Sequence, residues 1–218
     1  MQARLTAIDR AEVLRYLGCP PSAHCRIEDA ASALMQAVTP RLVWRRLPLC
    51  AETAALIEGN DLKSHLAGCT ELVLFAATLG MESEAMLRRA QLRALEQAVV
   101  FDACASSAIE NVCDNFCTDL AQAVAPQFLT ERFSPGYGDY PLCHQKQIFE
   151  LLDVTRRIGV TLTDSDLMVP QKSVTAIIGI SDTPQPHPKS KCAACRMFAQ
   201  CTFRKENRSC ESANPNPT

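Results

Sequence analysis

Three groups of residues have the types and spacing to do chemistry. The first is the loop Arg132-Phe133-Ser134-Pro135-Gly136-Tyr137-Gly138. Its glycines let backbone groups approach a ligand closely, the arginine can hold a carboxylate bidentately, and the tyrosine offers a ring face and a hydroxyl. On pattern alone, a plain turn with a surface arginine is the stronger reading. The second group is Glu110, with Asp114 one helical turn on, in the apolar stretch AVVFDACASSAIENVCDNFC. A carboxylate in such surroundings is costly unless paired, so it either pairs with an arginine to close a gap in the core or binds a cationic ligand. The third group is Cys192, Cys195, Cys201 and Cys210 near the C-terminus. A tight Cys-x-x-Cys followed by two more thiols can wrap one metal centre. The uneven spacing favours an iron–sulfur cluster; zinc is the second choice, because a ribbon would prefer two Cys-x-x-Cys pairs. Disulfides are the alternative without a metal.

The elements that must position these groups mix both types. Helices are predicted over 11–17, 27–38, from Ser83 onward, from Leu92 to about Ala123 as one long buried rod, and over 145–157 as an amphipathic helix with Ile148, Leu151 and Leu152 inward. A helical turn or two is expected at 61–66, with Asn60 as N-cap. Arg41–Leu49, the apolar run Glu71–Leu79, Val160–Thr163 and Ser173–Ile180 read as strands. The fold class is α+β. One domain over 1–182 would be followed by a Pro-rich linker over 183–191, the cysteine cluster over 192–210 and a polar, disordered end over 211–218.

Bulk properties narrow the function. The 218 residues carry a net charge of −2 and are 47% hydrophobic, which suits one sizeable core and gives no basic field for nucleic acid. No apolar stretch reaches the roughly 18–20 residues of a membrane span, and the N-terminus lacks the apolar core of a signal peptide. A cytoplasmic protein is expected. The eight cysteines before the tail read as small buried hydrophobes.

The segment RFSPGYGDYPLCHQKQIFELLDVTRRIGVTLTDSDLMVPQKSV resembles the signature region of the activation domain of cobalamin-dependent methionine synthase. The matching residues are Arg132, Pro135-Gly136-Tyr137, Glu150-Leu151-Leu152, Gly159-Val160-Thr161-Leu162-Thr163, Met168, Pro170 and Ser173-Val174. Upstream, Glu12 to Gly18, His65 to Cys69, Ala76 to Gly80 and Asp102-Ala103-Cys104 are similar to free-standing members of that family. The resemblance implies a twisted antiparallel sheet with helices that binds S-adenosylmethionine (AdoMet). Arg132 would take the ligand's carboxylate, Glu110 its amino group, and the backbone near Ser134 and Gly136 its adenosyl part. Tyr137 would stand near the donated methyl as the catalytic residue. The function implied is reductive methylation, and so reactivation, of cob(II)alamin on a partner methionine synthase in methionine biosynthesis. The chain would then be an accessory component of a methyltransferase, with a tail cluster able to relay the electron.

The sequence departs from the family in four places. Asp164 stands for a glutamate, Ile177 and Ile178 stand where the long enzyme has aromatic residues, and no counterpart of an N-terminal ligand-binding aspartate is evident. His65-x-x-Gly68 has Lys63 where a cobalamin-ligating motif needs aspartate, so His65 reads as an ordinary histidine and cobalamin would arrive on the partner. The altered last strand motivates an alternative: an iron–sulfur electron-transfer activator or chaperone of a corrinoid methyltransferase that does not bind AdoMet.

Overall fold

The computed structural model describes residues 1–20, 26–51 and 53–184. A four-stranded antiparallel sheet runs through its middle in the order β1 (Arg41–Pro48), β2 (Glu71–Thr78), β6 (Ser173–Ser181), β3 (Phe128–Leu129). Strand β2 is apolar along its length because both of its faces are covered. Val73, Phe75 and Ala77 point to one apolar cluster and Leu72, Leu74 and Ala76 to another. This is the two-face alternation of a pleated strand with no solvent side.

The first face is covered by α1 (Arg10–Tyr16), α2 (Ile27–Ala37), α4 (Met81–Arg93) and the 30-residue α5 (Leu95–Val124). The second is covered by α3 (Asn60–His65), α6 (Gln145–Leu152) and α7 (Val154–Ile158). At 1.5 Å per residue, α5 is about 45 Å long and buries Cys104, Ala108, Val112, Cys113, Phe116 and Leu120 in the first cluster. Phe116 packs against Phe75 of β2 with the rings tilted and their centroids 4.8 Å apart, and meets Trp44 of β1 at 6.1 Å. These rings set the height of α5 above the sheet.

Several boundaries differ from expectation. The rod expected from Leu92 starts at Leu95; Leu92 and Arg93 finish α4, and Ala94 is extended at φ −161°. Alanine is a strong helix former, so local preference is overridden here by the chain's turning back to pack α4 on α5. The helix expected over 145–157 breaks at Asp153, which is left-handed at φ 52°. That break turns Val154 and Ile158 into the second cluster. Leu151, expected inward, is 38% exposed, beside the buried face formed by Gln145, Ile148, Phe149 and Leu152.

Asn60 is not an N-cap but the first residue of α3, and Gly59 precedes it at φ 84°. The orphan donors are met from afar: Asp139 accepts from the N–H of Asn60 (2.7 Å) and of Asp61 (3.0 Å). Asp61 accepts in return from the Asp139 N–H at 3.1 Å. Thr161–Leu162 (β4) leaves the main sheet and pairs with Met168–Val169 (β5) as a separate ribbon. The linker beyond Pro184, the cysteine cluster and the polar end lie outside the described residues.

Candidate functional site

The loop after β3 carries the arginine. Phe133 locks it to the sheet: its N–H donates to the Ile177 carbonyl (2.9 Å) and its carbonyl accepts from the Ile177 N–H (2.8 Å). His65 clamps the other side, its Nε2 lying 2.8 Å from the Glu131 carbonyl and its ring 5.1 Å from that of Phe133. His65 therefore shapes the loop. Beyond Phe133 the chain makes a tight turn: the Tyr137 N–H donates to the Ser134 carbonyl at 3.1 Å, and the Gly136 N–H to the Tyr140 carbonyl at 2.9 Å. Gly136 at φ 92° and Gly138 at φ 53° permit it. A side chain at Gly138 would collide with the Asp61 carboxylate, so the loop depends on the Asp61–Asp139 clasp as well.

This anchoring aims Arg132 across at α5. Its two terminal nitrogens donate to Glu110 Oε2 and to Asp114 Oδ1, each at 2.7 Å, with Cys117 Sγ at 3.9 Å. Glu110, Asp114 and Cys117 share a face because they lie four and three residues apart on one helix. Burial pushes the Glu110 carboxyl above its ordinary value of 4.5, against the pull of Arg132. The Cys113 and Cys117 thiols are also pushed up by burial, which makes them poor nucleophiles and leaves them a packing role.

A cleft of about 940 Å³ opens over this triad, within the size range of small-molecule sites. Glu110, Asp114 and Cys117 form one wall, and Arg132, Ser134, Pro135 and Tyr137 another. Gln145, Met168, Ser173 and Thr175 close the far side. Thr175 Oγ1 and Gln145 Oε1 lie 2.6 Å apart, which ties β6 to the start of α6. Tyr137 is 62% exposed at the cleft mouth.

The structure thus brings together Glu110, Arg132, Ser134 and Tyr137. Gly136 shapes the turn but is not among the cleft-lining residues, and its N–H is already donated to Tyr140. Ile177 and Ile178 do not line the cleft either; they are buried in the two opposite clusters, where aliphatic packing accounts for them.

Two cleft-lining acids, Glu12 and Glu131, escaped the sequence reading. Glu12 of α1 lines the cleft, its Oε1 accepting from Arg15 and from the Tyr16 hydroxyl, each at 3.2 Å. Burial and Glu12 together push the Tyr16 hydroxyl up to about 12. The only local signal for Glu12 was its place beside the buried Val13 and Leu14 on a short amphipathic helix. Among the described residues, no group of three or more metal-ligating side chains is present and no helix is long and apolar enough to cross a membrane. The four tail cysteines lie outside those residues.

Comparison with known proteins bears on the fold and on part of the sequence. Residues 113–192 match the family model described as "Vitamin B12 dependent methionine synthase, activation domain", a span that holds Asp114, Arg132 and Tyr137 but not Glu110. No curated protein matches. Among solved structures, the "Crystal Structure of the MetH Reactivation Domain bound to AdoHcy" superposes with a TM-score of 0.53 at 16% identity, covering 86% of this chain and 74% of that one. The chain has the mixed helix and antiparallel-sheet fold of a methionine synthase reactivation domain, and over residues 113–192 its sequence is similar to that family's activation domain.

Proposed function

We propose that the chain binds AdoMet in the cleft between α5 and the Arg132 loop and presents its methyl group to a cobalamin carried by a partner methionine synthase. The observation that carries this reading is the guanidinium of Arg132, held 2.7 Å from each of two carboxylates at the edge of a ligand-sized cleft. The methionine end of AdoMet is a zwitterion. Its carboxylate takes the guanidinium and its ammonium takes Glu110, so the two more buried charges exchange partners and neither is left unpaired, while the exposed Asp114 is released. The resemblance of the matched segment to the activation domain, and the AdoHcy bound to the structural relative, support the same ligand class.

Within this reading the residues have separate duties. Arg132 and Glu110 orient the amino-acid end. Ser134 and Pro135 offer the backbone edge of the turn to the adenosyl part. Tyr137, exposed at the mouth, stands between ligand and partner and positions the sulfonium methyl outward. A cobalamin on the partner, if reduced by one electron from a separate donor, would be the acceptor of the methyl, and this chain's own part would be to hold and orient the donor.

Calorimetry with the full chain should show AdoMet binding at one site. Affinity should fall from neutral to mildly acid pH. Glu110 holds the ammonium only when ionised, and its pKa is raised, so the loss sets in above the pH at which an exposed glutamate titrates. An affinity unchanged until the ordinary carboxylate range would remove Glu110 from the site.

We further propose that Cys192, Cys195, Cys201 and Cys210 hold an iron–sulfur cluster. Their spacing is the support. Iron and acid-labile sulfide should accompany anaerobically purified protein. Stoichiometric zinc in their place would reassign the cluster to a structural role, and protein free of both metals would end the proposal.

A further inference from the structure

We propose that the cleft is charge-selective: it takes a cationic sulfonium donor in preference to the neutral thioether left after methyl transfer, and Asp114 is the residue that sets this preference. The inference rests on the AdoMet reading above.

The argument is a charge balance. Among the described residues lining the cleft, Glu12, Glu110, Asp114 and Glu131 are acidic and Arg132 is the one cation. Glu12 has its own cation in Arg15, on the same helix. The Arg132–Glu110–Asp114 group is bonded to no cation but Arg132, one guanidinium facing two carboxylates, each at 2.7 Å; Arg15 also acts on Glu110, but Glu12 acts there with the opposite sign, so these five groups together keep one negative charge in excess. An amino-acid zwitterion alone does not change that sum. A zwitterion with a sulfonium brings one further positive charge and neutralises it.

When the methyl leaves, the C–S bond breaks with its electron pair staying on sulfur, and the new bond to the methyl forms from the nucleophile's pair. The ligand's sulfur is then neutral and the excess carboxylate has lost its counter-charge. Product is therefore held less well than donor, which clears the cleft for another donor.

Asp114 rather than Glu110 is assigned this role because of where each sits. Glu110 is the more buried acid and faces Arg132 from deeper in the wall, whereas the Asp114 side chain is 67% exposed. With its guanidinium engaged by a ligand carboxylate, Asp114 is free to turn toward the sulfonium. Its exposure also means that Asp114→Asn leaves the core untouched, so the variant folds.

The test is calorimetry on the full chain at low salt with three ligands: AdoMet, S-adenosylhomocysteine, and sinefungin, which carries a charged amine in place of the sulfonium. AdoMet and sinefungin should each bind about tenfold more tightly than S-adenosylhomocysteine, the effect of one unit charge about 6 Å away in a medium between protein surface and bulk water. Asp114→Asn should bring all three within about twofold, and added salt should narrow the gap in the parent protein. Equal binding of S-adenosylhomocysteine and AdoMet by the parent, or a preference untouched by Asp114→Asn, would overturn the inference while leaving the AdoMet reading intact. Failure of all three ligands to bind would overturn the AdoMet reading itself.

Discussion

Arg132→Ala is expected to lower AdoMet affinity by about a hundredfold or more, a loss in keeping with removing one partner of a charged, partly desolvated contact. Two effects add. The ligand's carboxylate loses its guanidinium, whose two terminal nitrogens now reach Glu110 and Asp114. The two acids, one turn apart on α5, are then left with no cation between them and repel the ligand's carboxylate in turn. Lysine at the same place should recover only part of the loss, because an ammonium cannot make two parallel bonds to one carboxylate. Folding stability should fall as well, since the Arg132 side chain is only a quarter exposed and its loss leaves Glu110 and Asp114 without their cation. Titration of both variants beside the parent, with thermal melts as the control for folding, checks each part. Undiminished binding in Arg132→Ala would place the ligand elsewhere.

The second large effect falls on the scaffold. Phe116→Ala should destabilise the fold by about 3–5 kcal/mol, the usual cost of truncating a buried aromatic side chain. Phe116 is 1% exposed and fills the space between Phe75 and Trp44. In a chain of this size that corresponds to a fall in Tm of roughly 10 °C. The same change should weaken AdoMet binding at temperatures where the protein is still folded. Glu110 and Asp114 ride on α5 within two turns of Phe116, and their spacing from Arg132 depends on how α5 sits over the sheet. Phe116→Leu keeps most of the volume and should cost less in both measurements. A melt indistinguishable from the parent would mean that α5 is held by its other contacts.

The two-sided burial of β2 was legible from its unbroken apolar run, and so was the single-sided amphipathicity of α6. The acidic pair on α5 could be placed on one face because a helix repeats every 3.6 residues and Glu110 and Asp114 are four apart. Leu151, by contrast, was assigned inward and is partly exposed, because the buried face of α6 is Gln145, Ile148, Phe149 and Leu152 and Leu151 lies to the side of it. The α4–α5 corner at Ala94 has no punctuation in the sequence. Nothing local distinguishes that alanine from its helical neighbours; only packing of one helix on the other requires the bend.

By itself the sequence determined the types of group that meet at the site and the glycine-bent loop that carries one of them, since residue identity and short-range periodicity are local properties. Their meeting was decided by the tertiary structure. Arg132 and Glu110 are 22 residues apart, and only the pairing of Phe133 with Ile177, together with the seating of α5 on Phe75, brings their charges to 2.7 Å. Glu12 shows the same limit from further off, because α1 reaches the cleft wall only by packing on α5 across almost a hundred residues of chain. Long-range contacts of this kind are selected by burial of the whole core, and no window of sequence contains them.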